Sequence, residues 1–173
     1  MQRRMLSSAL LALALVVALA AASFAAPPQP RNFTAPLSGD GQIDPVETNA
    51  TGVAHFKLSR AGDEMSFRVN VGNIQDVTMA HIHLDNSNGP VVAWLYPEGP
   101  PPQLIEGRVS GTLATGTITA DDLDGPLAGE GLDALADEIR DGNAWVNVHT
   151  AAHGGGEIAG QIRNPGGHIG GGS

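Results

Sequence analysis

Two short runs constrain the fold of this chain more than any other feature. Apolar and polar residues alternate in Ala54-His55-Phe56-Lys57-Leu58 and again in Met65-Ser66-Phe67-Arg68-Val69-Asn70-Val71. Consecutive side chains on a strand point to opposite faces, so each run builds one apolar and one polar face. Arg60-Ala61-Gly62-Asp63 between them is turn-forming. The pair therefore predicts a β-hairpin whose core face carries Phe56 and Phe67.

The pattern continues downstream. Residues 77–84 and 91–96 read as strands, separated by the turn-rich cluster Asp85-Asn86-Ser87-Asn88-Gly89-Pro90. Pro100, Pro101 and Pro102 bar residues 98–103 from the middle of a sheet. Residues 105–118, with their threonines, valine and glycines, predict one or two short strands. Leu132, Leu135, Ala136 and Ile139 fall at helical spacing ahead of Gly142, which suits a left-handed cap. Strand returns at residues 145–148 and 156–162. Short strands, frequent turns and one small helix predict an all-β fold, an antiparallel β-sandwich or Greek-key barrel with one short helix.

The ends of the chain set its compartment. Arg3 and Arg4 precede an apolar run, Ala9 to Ala22, and Ser23-Phe24-Ala25 places small residues three and one positions before a cut. This is the order of a signal peptide over residues 1–25, with the mature chain starting at Ala26. The run is shorter than the roughly 20 residues that span a bilayer, so no membrane span is expected once the signal is removed. Arg3-Arg4-Met5-Leu6 half-matches a twin-arginine signal, and the route is open between that system and the general secretory one. Residues 26–36, rich in Pro, Gln and Asn, read as a linker, residues 37–164 as the domain, and the glycine-rich residues 165–173 as a disordered tail. Asn32-Phe33-Thr34 and Asn49-Ala50-Thr51 fit the glycosylation sequon.

Composition narrows function by exclusion. The chain has no cysteine, so it forms no disulfide, offers no thiolate to a metal and carries no lipid anchor on cysteine. Loss of Arg3 and Arg4 leaves 7 basic against 18 acidic side chains, a surface that repels nucleic-acid phosphates. There is no Gly-x-Ser-x-Gly elbow and no phosphate-binding glycine loop before a helix. Asp121-Asp122 reads as a turn pair rather than a catalytic dyad. An enzyme is thus the less favoured class, and no catalytic residue is assigned.

Five ordered blocks then carry a resemblance. They are Pro45-Val46-Glu47-Thr48-Asn49-Ala50-Thr51-Gly52, Ala80-His81-Ile82-His83, Gly89-Pro90-Val91-Val92, Trp145-Val146-Asn147-Val148-His149-Thr150 and Gly156-Glu157-Ile158-Ala159-Gly160-Gln161-Ile162. Together they resemble the successive blocks of the CHRD (chordin-type) domain and span about residues 33–163. Ala159 stands where that family often has arginine. The resemblance implies an exported, non-catalytic binding or structural module whose partner is a protein or surface ligand outside the cytoplasm. It does not imply the growth-factor antagonism of chordin, which joins several such domains to cysteine-rich modules.

Strand parity gives one candidate site. His81 and His83 share a face opposite Ala80, Ile82 and Leu84, and His149 shares one with Asn147 opposite Val146 and Val148. All three histidines are expected to leave the core. His153 follows on a glycine-rich loop and Glu157 four residues later, where it could hydrogen-bond a liganding imidazole. Two imidazoles at i and i+2, with a third from a neighbouring strand, suit Zn²⁺ or Cu²⁺. The alternative function is therefore a histidine-based Zn or Cu protein. His81-Ile82-His83 also resembles the His-x-His of copper/zinc superoxide dismutases, which would imply redox activity, but the dismutase cysteine pair is missing. The competing expectation is that these histidines hydrogen-bond to loop backbones or to Glu157 and tie one end of the fold together. Trp94 and Tyr96 are either core or an aromatic platform. His55 and His168 lie outside the candidate set.

Overall fold

The computed structural model describes residues 29–165. The signal peptide expected over residues 1–25, with its cut after Ala25, and the tail beyond residue 165 with His168 lie outside the described residues. Within them the chain forms seven strands and one α-helix: β1 Asn32–Ser38, β2 Thr51–Leu58, β3 Met65–Leu84, β4 Val91–Tyr96, β5 Ile105–Ile118, α1 Leu132–Asp141, β6 Ala144–Thr150 and β7 Ile158–Gln161. Neighbours run β2-β1-β7-β6-β3-β4, and β2 also pairs with β3. That second pairing closes β1, β2, β3, β6 and β7 into an antiparallel barrel, with β4 and β5 as additional strands on β3. The all-β expectation holds in its barrel form.

The predicted hairpin is β2 and the first part of β3, in register from Thr51 opposite Gly72 to Leu58 opposite Met65. The two runs read separately, residues 65–71 and 77–84, are one strand of 20 residues. The interruption is a bend, not a turn. Asn73 and Asp76 adopt positive φ (58° and 51°), and the ladder to β5 shifts register between Val71 and Ile74 and again between Gln75 and Val77. Asn and Asp tolerate this conformation better than other side chains, and such bulges bend a strand without ending it. One half of β3 can thereby serve the β2 edge of the barrel and the other half β6.

Three other readings are narrowed or changed. β1 begins inside the stretch read as linker, because Phe33, Ala35 and Leu37 alternate into the core while Asn32 and Pro36 face out. Residues 105–118, read as one or two short strands, form one strand of 14 residues. Phe67 is half-buried rather than core: it lies opposite Gly116 of β5, which has no side chain to cover the ring. Phe56 is core as read, and Phe33 fills the interior beside it, with Met65, Val69, Ile82, Val146, Val148 and Ile158. The helix is as read, with Leu132, Leu135, Ala136 and Ile139 buried and Gly142 capping it at φ 81°.

Candidate metal centre

The second half of β3 lies between β4 and β6 in one sheet. His81 is in register with Trp94 on one side and Asn147 on the other, and Met79 lies opposite His149. One face of this region, Ala80, Ile82, Val146 and Val148, is core. The opposite face gathers the histidines, as parity predicts. What parity does not predict is their burial: His81, His83 and His149 are only 3, 5 and 4% exposed. They leave the barrel interior but do not reach solvent, because two loops and Trp94 cover them.

The covering loops are residues 85–90 and 151–156, and each supplies one carbonyl to one imidazole. His83 Nδ1 donates to Gly89 O at 2.7 Å, and His149 Nδ1 donates to Gly154 O at 3.0 Å. A carbonyl can only accept, so in both rings the proton sits on Nδ1 and Nε2 presents its lone pair. Asn147, fully buried, holds the loops down: its Nδ2 donates to Ser87 O (2.8 Å) and Gly155 O (3.1 Å), and its Oδ1 accepts from Gln42 Nε2 (2.7 Å). Two glycines allow this closeness. A Cβ on Gly89 would lie 1.8 Å from Leu84 O, and one on Gly156 would lie 2.1 Å from Asn147 Oδ1.

After these bonds, four buried ring nitrogens have no hydrogen-bond partner among the described residues: both of His81, and Nε2 of His83 and His149. One ring nitrogen from each histidine lies within 4.8 Å of the others. Ligands on one ion at about 2.0 to 2.1 Å stand roughly 3.3 to 4.2 Å apart, which is close to the spacing of these nitrogens. Trp94 stands edge-on to His81, ring centroids 4.1 Å apart.

The electrostatics keep the lone pairs free. Burial is the largest cause in every ring. It lowers His81 to about 3, helped by repulsion from His149 and His83, and lowers His149 to about 4 against the opposing bond to Gly154. His83 is lowered too, by burial acting against its bond to Gly89. Three neutral imidazoles, each with a ring nitrogen within 4.8 Å of the others, can ligate a d-block cation.

The other site expectations separate from this cluster. His153 is half-buried on the covering loop and bonds through its backbone to Thr150 and Gly156; it is not in the cluster. Glu157 is buried, but its oxygens accept from Thr48 Oγ1 (2.7 Å) and Thr150 Oγ1 (2.9 Å) rather than from a histidine. It fastens β7 to the segment before β2. Asp122 accepts from the backbone and hydroxyl of Thr119, a turn cap as read. Sequence reasoning missed Asn147, Gln42 and Ser87, although Asn147 shares the parity of His149.

A family model described as the CHRD domain matches residues 33–162. A search among curated proteins returned no match.

Proposed function

The chain belongs to the CHRD domain family, and on that premise we propose that it is an exported, non-catalytic binding module whose ligand is one d-block metal ion, Zn²⁺ or copper, held by His81, His83 and His149. The observation that carries this reading is the set of four buried, unpartnered ring nitrogens. An unpaired buried polar atom costs about 1 to 3 kcal/mol, and a shared cation would satisfy one lone pair from each ring at once. The Nδ1 bonds to loop carbonyls are the arrangement that orients metal-ligating imidazoles. Export rests on the charged start, apolar run and small-residue cut of residues 1–25. Among the described residues, no helix is long and apolar enough to cross a membrane.

A purely structural reading has one observation in its favour, the ties from His83 and His149 to their loops. It explains two nitrogens and leaves His81 without a role.

Thermal melts separate the two. An ion at one hundred times its dissociation constant stabilises the folded state by about 2.7 kcal/mol. Wild-type protein should melt higher with Zn²⁺ or, without oxygen, with Cu(I) than with chelator, and His81→Ala should show no such difference. Equal melts of wild type with either metal and with chelator would favour the structural reading.

A further inference from the structure

Met79 has the same strand parity as His81 and His83, and its Cα is paired with that of His149 across β6. Directly opposite residues in an antiparallel pair have Cβ atoms about 4.5 to 5.5 Å apart. The methionine side chain, with three rotatable bonds, can span such a distance. Met79 is half-buried. The cluster contains no carboxylate, and the chain contains no cysteine.

On this basis we infer that the ion is copper in its +1 state, bound by the three imidazoles and by the thioether of Met79. The inference rests on the metal-site reading above and adds the identity of the metal and a fourth ligand. Two arguments carry it. A thioether is a soft donor suited to Cu(I), whereas zinc sites are built from thiolate, imidazole and carboxylate. A buried cluster of neutral ligands supplies no counter-charge, and the cost of burying an ion grows with the square of its charge. A monovalent ion therefore meets about a quarter of the desolvation penalty of a divalent one.

The test uses chelator-stripped wild-type protein, titrated without oxygen against the bicinchoninate complex of Cu(I) and separately against a chromophoric zinc chelator. X-ray absorption at the copper edge is then recorded on the loaded protein. Cu(I) should bind at one ion per chain, on the order of a thousandfold more tightly than Zn²⁺, with one sulfur and three nitrogen neighbours. Met79→Leu conserves side-chain volume; it should remove the sulfur neighbour and weaken Cu(I) about tenfold or more, leaving Zn²⁺ within about twofold. If that variant does not fold, the sulfur neighbour in wild type decides alone. A copper site without sulfur, or equal weakening of both metals, overturns the role of Met79. Zinc binding as tight as Cu(I) overturns the choice of copper while leaving the triad a metal site, and failure of both metals to bind overturns the metal reading itself.

Discussion

Acid should destabilise the metal-free protein through its buried histidines, and the size of the effect follows from their environment. Burial holds His81 at about 3 and His149 at about 4, against an ordinary value of 6.5. Each therefore binds its proton more readily in the unfolded chain. Stability is intact above pH 6.5, falls as the pH drops below it, and goes on falling until the folded value is reached. The slope approaches about 1.4 kcal/mol per pH unit for each such group. Between pH 7 and pH 5 the loss is about 2 kcal/mol per histidine, or about 4 kcal/mol for His81 and His149 together, and His83 adds in the same direction. Urea unfolding in chelator at the two pH values measures the total, to which carboxylates also contribute. His81→Gln, neutral at both, isolates one ring: its loss should be smaller than that of wild type by about 2 kcal/mol. An unchanged pH dependence in His81→Gln would refute the claim that His81 is kept neutral by burial.

Other consequences can be checked with single variants. Asn147→Ala removes the bonds that hold both covering loops and should cost about 2 to 4 kcal/mol in urea unfolding, with a loss under about 1 kcal/mol showing that the loops stand without it. Phe33→Ala should cost about 3 to 5 kcal/mol, and Phe67→Ala, half-buried over Gly116, about half as much or less; the reverse order would mean that the barrel interior is misassigned. Intact-mass measurement of exported protein should give a chain beginning at Ala26, and a retained Met1 would contradict the cleavage reading.

Much of the barrel was legible because its signals are local. Alternation in β2 and the first half of β3 reads off the chain, as do the helical spacing of Leu132 to Ile139 and the cap at Gly142. β1 was hidden because Pro36 sits among its three inward residues in a proline-rich stretch, and composition outweighed a short alternation. The continuity of β3 was hidden because positive φ at Asn73 and Asp76 looks, in sequence, like the end of a strand. The site divides in the same way. Parity put His81 and His83 on one face and turned His149 out of the core, since parity depends only on neighbouring residues, whereas the pairing of β3 with β6 is what makes that face a shared one. Their burial depends on Gly89, Gly154, Trp94 and Asn147, brought together by pairings between β3, β4 and β6 that no local pattern encodes. Met79 carried the same parity signal as His81, but a lone methionine in a strand has the ordinary meaning of a core residue.

The most direct measurement of the central claim is metal content after equilibrium dialysis. Chelator-stripped wild type and His81→Ala, dialysed side by side against Zn²⁺ and, without oxygen, against Cu(I), are analysed for metal per chain. The account predicts one ion per wild-type chain for at least one of the two metals, and less than about a tenth of that in His81→Ala. Equal metal in both proteins, or none in wild type, would contradict it.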